Sequence, residues 1–132
     1  MAASAPITAS VRTLPERIGK YLIINEVGRG STGNVYLSHD PYYGRDVAIK
    51  VYNIEAGGDD DRARIARKMF LSEAHMVGML HHPNILPIYD AGEENGHCYI
   101  VTEHVHGART LSTYCRADNL LRLDDVVELM FK

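Results

Sequence analysis

The stretch from Val27 to Lys50 constrains the chain most, because glycines at 28, 30 and 33 sit among short tracts of strand character. Tyr21 to Val27 is apolar and β-branched before the glycines, and Val35-Tyr36-Leu37 and Val47 to Tyr52 follow them. Glycines placed between strands read as a hairpin tip, and without side chains their backbone amides can approach a polyphosphate. In the last tract, period-two alternation puts Val47, Ile49 and Val51 on one face and Ala48, Lys50 and Tyr52 on the other. Ala48 and Lys50 are then neighbours. The small residue leaves room for a flat base, and the ammonium one pleat further along reaches phosphate oxygens.

Gly28 to Val35 fits G-x-G-x-x-G-x-V and Val47 to Lys50 fits V-A-I-K, and together they resemble the nucleotide-binding half of a protein kinase. The glycines in isolation fit an ordinary hairpin turn equally well; Val35 and the lysine strand at this distance argue for the nucleotide loop. A dinucleotide fingerprint is a weaker reading, although Glu55 lies roughly 20 residues beyond the glycines. That turn must open a helix, whereas Asn34 to His39 reads as strand and Pro41 and Gly44 interrupt any helix before Glu55.

The resemblance implies an α+β fold: a kinase-like small lobe with a five-stranded antiparallel sheet and one packed helix, then the hinge and the start of a helical large lobe. It implies ATP as the bound nucleotide. Val27, Gly28, Arg29, Gly30, Ser31, Thr32, Gly33, Asn34 and Val35 would form the loop over the phosphates, with Ala48 beside the base and Lys50 at the α- and β-phosphates. Thr102 would stand beside the adenine, and the backbone of Glu103 and Val105 would bond the base edge.

Strands are expected at Tyr21 to Val27, Asn34 to His39 and Asp46 to Tyr52, a three-stranded meander whose second turn is Asp40-Pro41-Tyr42-Tyr43-Gly44. Gly57-Gly58 breaks the sheet from a helix that Asp59-Asp60-Asp61 would start, with acidic groups at the positive end of its dipole. At 100° per residue, Ile65, Met69, Met76, Val77 and Leu80 share one face of this helix, with Arg64, Arg67, Lys68 and His75 opposite. Glu73 falls in the middle of the apolar face. A carboxylate there needs a cation or hydrogen-bond donors, and Lys50 is the candidate. The kinase resemblance implies the same pairing, with Glu73 holding the Lys50 ammonium toward the phosphates.

His81-His82-Pro83 ends the helix, and the His82-Pro83-Asn84-Ile85-Leu86 run also resembles the kinase linker. Ile85 to Tyr89 reads as a short edge strand broken by Pro87, Asn95-Gly96 as a tight turn, and His97 to Glu103 as the returning strand. A short helix is expected after Gly107, and Leu123-Asp124-Asp125 opens another. The division is a leader over 1–18 and kinase-like sequence over 19–132: small lobe to 102, hinge 103–107, start of the large lobe 108–132.

The chain of 132 residues is 45% hydrophobic and 23% charged, ordinary for a soluble globular protein. Its formal net charge of -3 and pI of about 6.1 give no basic face, so neither nucleic acid nor an anionic membrane is implied as a partner. Cys98 and Cys115 stand far apart without C-x-x-C, which fits reduced thiols, and the cytoplasm is the expected compartment. No apolar run is long enough for a membrane span. Seven histidines include His81-His82 and His104-x-His106, yet nothing completes a metal site of known spacing, so no metal is expected.

Phosphoryl transfer also needs metal ions bridging the phosphates and an acidic residue that orients the accepting hydroxyl. The sequence has no H-R-D followed by Asn, no D-F-G and no A-P-E. Mg2+ is therefore expected only with a large lobe, as is a protein substrate, and the catalytic set present is reduced to the supporting pair Lys50 and Glu73. The expectation is the ATP-binding portion of a serine/threonine protein kinase of bacterial type, a fragment inactive alone. The alternative is a non-catalytic kinase-like interaction module, against which stands the set of Gly28, Gly30, Gly33, Lys50 and Glu73 that a scaffold does not need.

Overall fold

Alternation in the Val47 to Tyr52 tract is realised as an inner strand of a six-stranded antiparallel sheet in the computed structural model, which describes residues 13–53 and 60–131. The strands are β1 (Arg17–Ile18), β2 (Tyr21–Arg29), β3 (Gly33–Asp40), β4 (Arg45–Tyr52), β5 (Ile88–Glu94) and β6 (His97–Glu103). They lie in the order β1-β2-β3-β4-β6-β5, so the expected meander is β2 to β4 and the last hairpin adds to its β4 edge. Helix α1 (Asp61–Gly78) lies between β4 and β5 in sequence, and a short 3-10 turn (Leu111–Tyr114) and α2 (Leu123–Met130) follow the sheet.

The strand beyond the expected five is β1, which pairs Arg17 with Leu22 and Ile18 with Tyr21. Two residues are too few to show a period-two pattern, so the sequence alone places them at the end of the leader. Ile18 is nevertheless buried in the core. Residues 1–12 of that leader, together with Glu55, the Gly57-Gly58 break and Asp59, lie outside the described residues.

A larger boundary shift is at β5, which runs Ile88–Glu94 instead of Ile85 to Tyr89. Pro87 has no N–H for the ladder and sits just before the strand, where its carbonyl accepts from Glu103 N at 3.3 Å. Ile85 N closes a turn onto His82 O at 3.1 Å. The Asn95-Gly96 turn is as expected, with φ of 51° and 78° at the two positions, the left-handed values of a two-residue hairpin loop.

Val47, Ile49 and Val101 are fully buried on one face of the sheet, where Ile18 and Tyr21 fold over them and Ile23, Tyr36, Val51 and Tyr99 close the rim. Each such aliphatic removed from water stabilises the fold by about 1.5–3 kcal/mol. A polar tie crosses the edge of this core: the Tyr21 hydroxyl donates to Asp90 Oδ2 at 2.9 Å. Asp40, also buried, accepts from Tyr42 N at 2.9 Å and Tyr43 N at 3.3 Å, which fixes the turn between β3 and β4.

Helix α1 starts where the acidic run predicts, with the Asp60 side chain accepting from the backbone of Arg62 and Ala63. Its packing face, however, is not the apolar stripe. Ala63 and Ala74 are its buried residues, Phe70 meets Tyr52 of β4 at 4.8 Å between ring centroids, and Arg67 pairs with Glu93 of β5 at 3.2 Å. Ile65, Met69 and Met76 are 55%, 59% and 60% exposed, and Val77 and Leu80 are exposed as well. The two faces lie about 130° apart around the axis at 100° per residue. Small alanines let the helix backbone approach the sheet and an aromatic fills the gap between them, so close packing outweighed the count of long apolar side chains. Arg67, expected on the water face, is mostly covered because its guanidinium has an acceptor on β5.

Candidate functional site

The face of the sheet that carries Lys50 is built from cross-strand rungs. Val35, Lys50 and Ile100 stand in register on β3, β4 and β6, and Leu37, Ala48 and Thr102 form the next rung toward the hinge. Gly33, Tyr52 and Cys98 form the rung on the other side of Lys50. Gly28 pairs with Val35, which sets the β2–β3 loop beside the lysine. Ala48 thus lies between an aliphatic and a threonine, a low and apolar floor, and Lys50 is the cation of that floor.

The three glycines of the loop serve different ends. A Cβ on Gly33 would lie 2.0 Å from the Val51 carbonyl oxygen, so this glycine is demanded by the close approach of β3 to β4. Added to Gly28 or Gly30, a Cβ would find its nearest neighbour at 3.8 Å, an ordinary contact. The fold therefore requires glycine at 33 and leaves 28 and 30 unexplained by packing. The loop is closed by Gly30 N donating to Gly33 O and by Asn53 N donating to Thr32 O, both at 2.9 Å. Ser31 and Thr32 are exposed at its tip, Val27 is exposed at its base, and Asn34 sits in the ladder opposite Arg29 and Val51. Arg29 is turned onto Glu26, with its Nε 2.6 Å from Oε1; that hydrogen bond and the carboxylate charge hold the guanidinium protonated.

Lys50 is half-buried, and its Nζ stands 4.9 Å from the centroid of the Tyr52 ring. Glu73 is exposed on α1 beside Ile65, Met69 and Met76. Among the described residues no ion pair joins Lys50 to Glu73. The expected pairing rested on Glu73 lying on a buried face; because that face meets water here, the carboxylate is solvated without a cation.

At the hinge, Glu103 N is committed to Pro87 O, and the Thr102 hydroxyl donates to Glu103 O at 3.3 Å. A carbonyl oxygen has a second lone pair, so Glu103 O can still accept from a base edge. Val105 O accepts from Ala108 N at 3.3 Å, and the Val105 N–H has no acceptor among the described residues. The rings of His104 and His106 meet edge to face at 4.4 Å, and no three His, Cys, Asp or Glu side chains converge among the described residues.

Two features of this face carried little sequence signal. Cys98 is buried where α1 crosses β6, and burial, aided by the Glu93 carboxylate against the opposing Arg67 charge, pushes its thiol pKa up, keeping it protonated. Tyr52 sits between Lys50 and Phe70, and burial pushes its hydroxyl pKa up. The alternation that grouped Ala48 with Lys50 had already placed Tyr52 on their face; its partner Phe70 could not be foreseen without the rotation of α1.

A curled antiparallel sheet with one packed helix and a glycine loop beside a strand lysine has the architecture of a protein kinase small lobe. The protein kinase domain model matches residues 21–132, and the chain belongs to the protein kinase family, of whose domain it covers the N-terminal part. It is 38% identical over 112 residues to the serine/threonine-protein kinase PrkC of Bacillus subtilis, covering 85% of this chain and 16% of that protein. It is 34% identical over 93 residues to the serine/threonine-protein kinase PknF of Mycobacterium tuberculosis, covering 70% of this chain and 18% of that protein. Among solved structures, the PknI kinase domain of M. tuberculosis superposes with a TM-score of 0.72 at 27% identity, covering 89% of this chain and 46% of that one. The chain thus spans under a fifth of these curated relatives and about half of the solved kinase domain.

Proposed function

We propose that this chain is the ATP-binding portion of a serine/threonine protein kinase, and that phosphoryl transfer from ATP to protein hydroxyls takes place when the complete domain is present. The observation that carries the reading is the contrast among the glycines: Gly33 is required by packing, while a Cβ on Gly28 or Gly30 would meet only ordinary contacts, so packing gives no reason for glycine there in the loop beside Lys50. Glycines that packing does not require, at a strand hairpin next to a lysine, fit backbone amides turned to a phosphate chain.

In this reading the base lies on Ala48 between Leu37 and Thr102, and its edge bonds Glu103 O and the Val105 N–H. The loop amides and the Lys50 ammonium neutralise phosphate charge. Glu73 comes to Lys50 when α1 turns its exposed face inward. A bound Mg2+ would supply neutralisation of phosphate charge. The described residues offer no carboxylate cluster to hold it, so no step is assigned to this chain through the metal. The base that orients an accepting hydroxyl likewise has no counterpart in the sequence.

The test is ligand-dependent stabilisation. Mg-ATP at about 100 times its dissociation constant stabilises a binding-competent protein by about 2.7 kcal/mol, which raises the melting temperature. Lys50→Ala should cut that rise sharply and leave the nucleotide-free melting temperature near the parent's. Equal rises in both proteins would remove Lys50 from the site.

A further inference from the structure

The seat of the Lys50 ammonium is a ring, not a carboxylate. Nζ is 4.9 Å from the Tyr52 centroid, within the reach of a cation–π contact, and no ion pair holds it among the described residues. The other contact of the ring is Phe70 of α1, at 4.8 Å with planes inclined by 62°. Lysine, tyrosine and phenylalanine therefore form one stack that runs from the proposed phosphate site to the helix.

The helix geometry gives this stack a second state. Phe70 and Glu73 are three residues apart on α1, about 60° around the axis and one turn along it. A roll of α1 by about 60° that withdraws Phe70 from Tyr52 puts Glu73 at the angle Phe70 now holds. Tyr52 and Glu73 are thus alternative partners for one ammonium, and the choice depends on the rotation of the helix.

We propose that Tyr52 is a positioning residue that parks the Lys50 side chain by a cation–π contact while α1 is rolled outward, in competition with Glu73 and with phosphate. The inference rests on the reading of Lys50 as a phosphate contact, but the parking contact itself does not need nucleotide. Burial keeps the ring a neutral phenol at ordinary pH, so the contact is to the π face and not to a phenolate.

Two substitutions separate the ring from its bulk. Tyr52→Phe keeps an aromatic face over Lys50, and Tyr52→Leu keeps apolar packing against Phe70 without a π face. In the parent and in Tyr52→Phe, the Lys50 ε-methylene protons should resonate upfield of the other lysines because of the ring current; in Tyr52→Leu they should return to the common lysine position. Mg-ATP should bind Tyr52→Leu about two- to five-fold more tightly than the parent, since no ring contact is given up, and Tyr52→Phe like the parent. A Lys50 resonance that is the same in parent and Tyr52→Leu overturns the parking contact. An unchanged ATP dissociation constant in Tyr52→Leu overturns the competition. If no variant binds Mg-ATP, the nucleotide reading falls, while the Lys50 resonances still decide the contact.

Discussion

The two apolar surfaces of this molecule have opposite fates. The face of the sheet bearing Val47, Ile49 and Val101 is closed to water by its own strands, whereas Ile65, Met69 and Met76 on α1 stand in the open. Both satisfy an apolar periodicity of the kind that predicts burial, so periodicity alone does not distinguish a core from a surface waiting for one. The difference lies in what stands opposite. Ile18 of β1 and Tyr21 cover Val47, Ile49 and Val101, while α1 spends its small residues on the sheet and leaves its long ones outward.

The largest effect that sharpens this contrast should come from the closed face. Ile49 is fully buried, and Ile49→Ala removes apolar contacts and leaves a cavity between β3, β4 and β6. A loss of about 2–5 kcal/mol is expected in urea unfolding. A loss below about 1 kcal/mol would mean that the curled sheet is not the core and would erase the contrast with α1.

The glycines give the next largest effect. Gly33→Ala presses a methyl onto the Val51 carbonyl and should cost about 1–3 kcal/mol, since backbone on both sides must shift. Gly30→Ala meets nothing closer than 3.8 Å and should leave thermal stability nearly unchanged while weakening Mg-ATP binding. If the two variants melt alike, the division between a structural and a ligand-facing glycine is lost.

A smaller effect, with a pH signature, belongs to Tyr21. Burial, the Asp90 hydrogen bond and the nearby carboxylates raise its pKa above the ordinary tyrosine value. A raised acid is favoured in its neutral form by the fold, so its stabilising contribution is complete below about pH 10, where the unfolded tyrosine begins to ionise. It is lost as pH rises further, and the buried Cys98 thiol adds to the same alkaline decline from about pH 8.5 upward. Tyr21→Phe should cost about 1 kcal/mol at pH 7 through the lost hydrogen bond to Asp90. The variant should then lose less stability than the parent between pH 9 and 11, measured by chemical denaturation at each pH. A parallel decline in both would assign the alkaline loss to other groups.

What was legible in the sequence follows the same division. The meander, the Asn95-Gly96 turn, the acidic start of α1 and the alternation that places Ala48 beside Lys50 depend on local geometry, and local geometry is written in spacing and residue type. The two-residue β1 was not legible, because its place in the sheet comes from Tyr21 and Leu22 pairing back onto it. The rotation of α1 was not legible either. It is decided by Ala63 and Ala74 against β5 and β6 and by the Phe70–Tyr52 contact, all long-range, whereas a helical wheel registers only how many long apolar side chains share a side. For the candidate site this matters directly, since that wheel was the ground, beside the family resemblance, for pairing Lys50 with Glu73.

The smallest effect tests the open face itself. Met76 is 60% exposed on the turn after Glu73, so Met76→Ser removes little area from burial and should change unfolding free energy by less than about 0.5 kcal/mol. Surface substitutions away from caps and ion pairs usually fall in this range, and serine gives up only a modest helix propensity relative to methionine. A cost of about 2 kcal/mol or more would mean that in solution Met76 is covered and that α1 does not turn this face to water. The substitution therefore reads the orientation of α1 without nucleotide and without touching Lys50, Tyr52 or Glu73. A small cost agrees with Ala63, Phe70 and Ala74 on the sheet and Met76 in water; a large one overturns that orientation of α1.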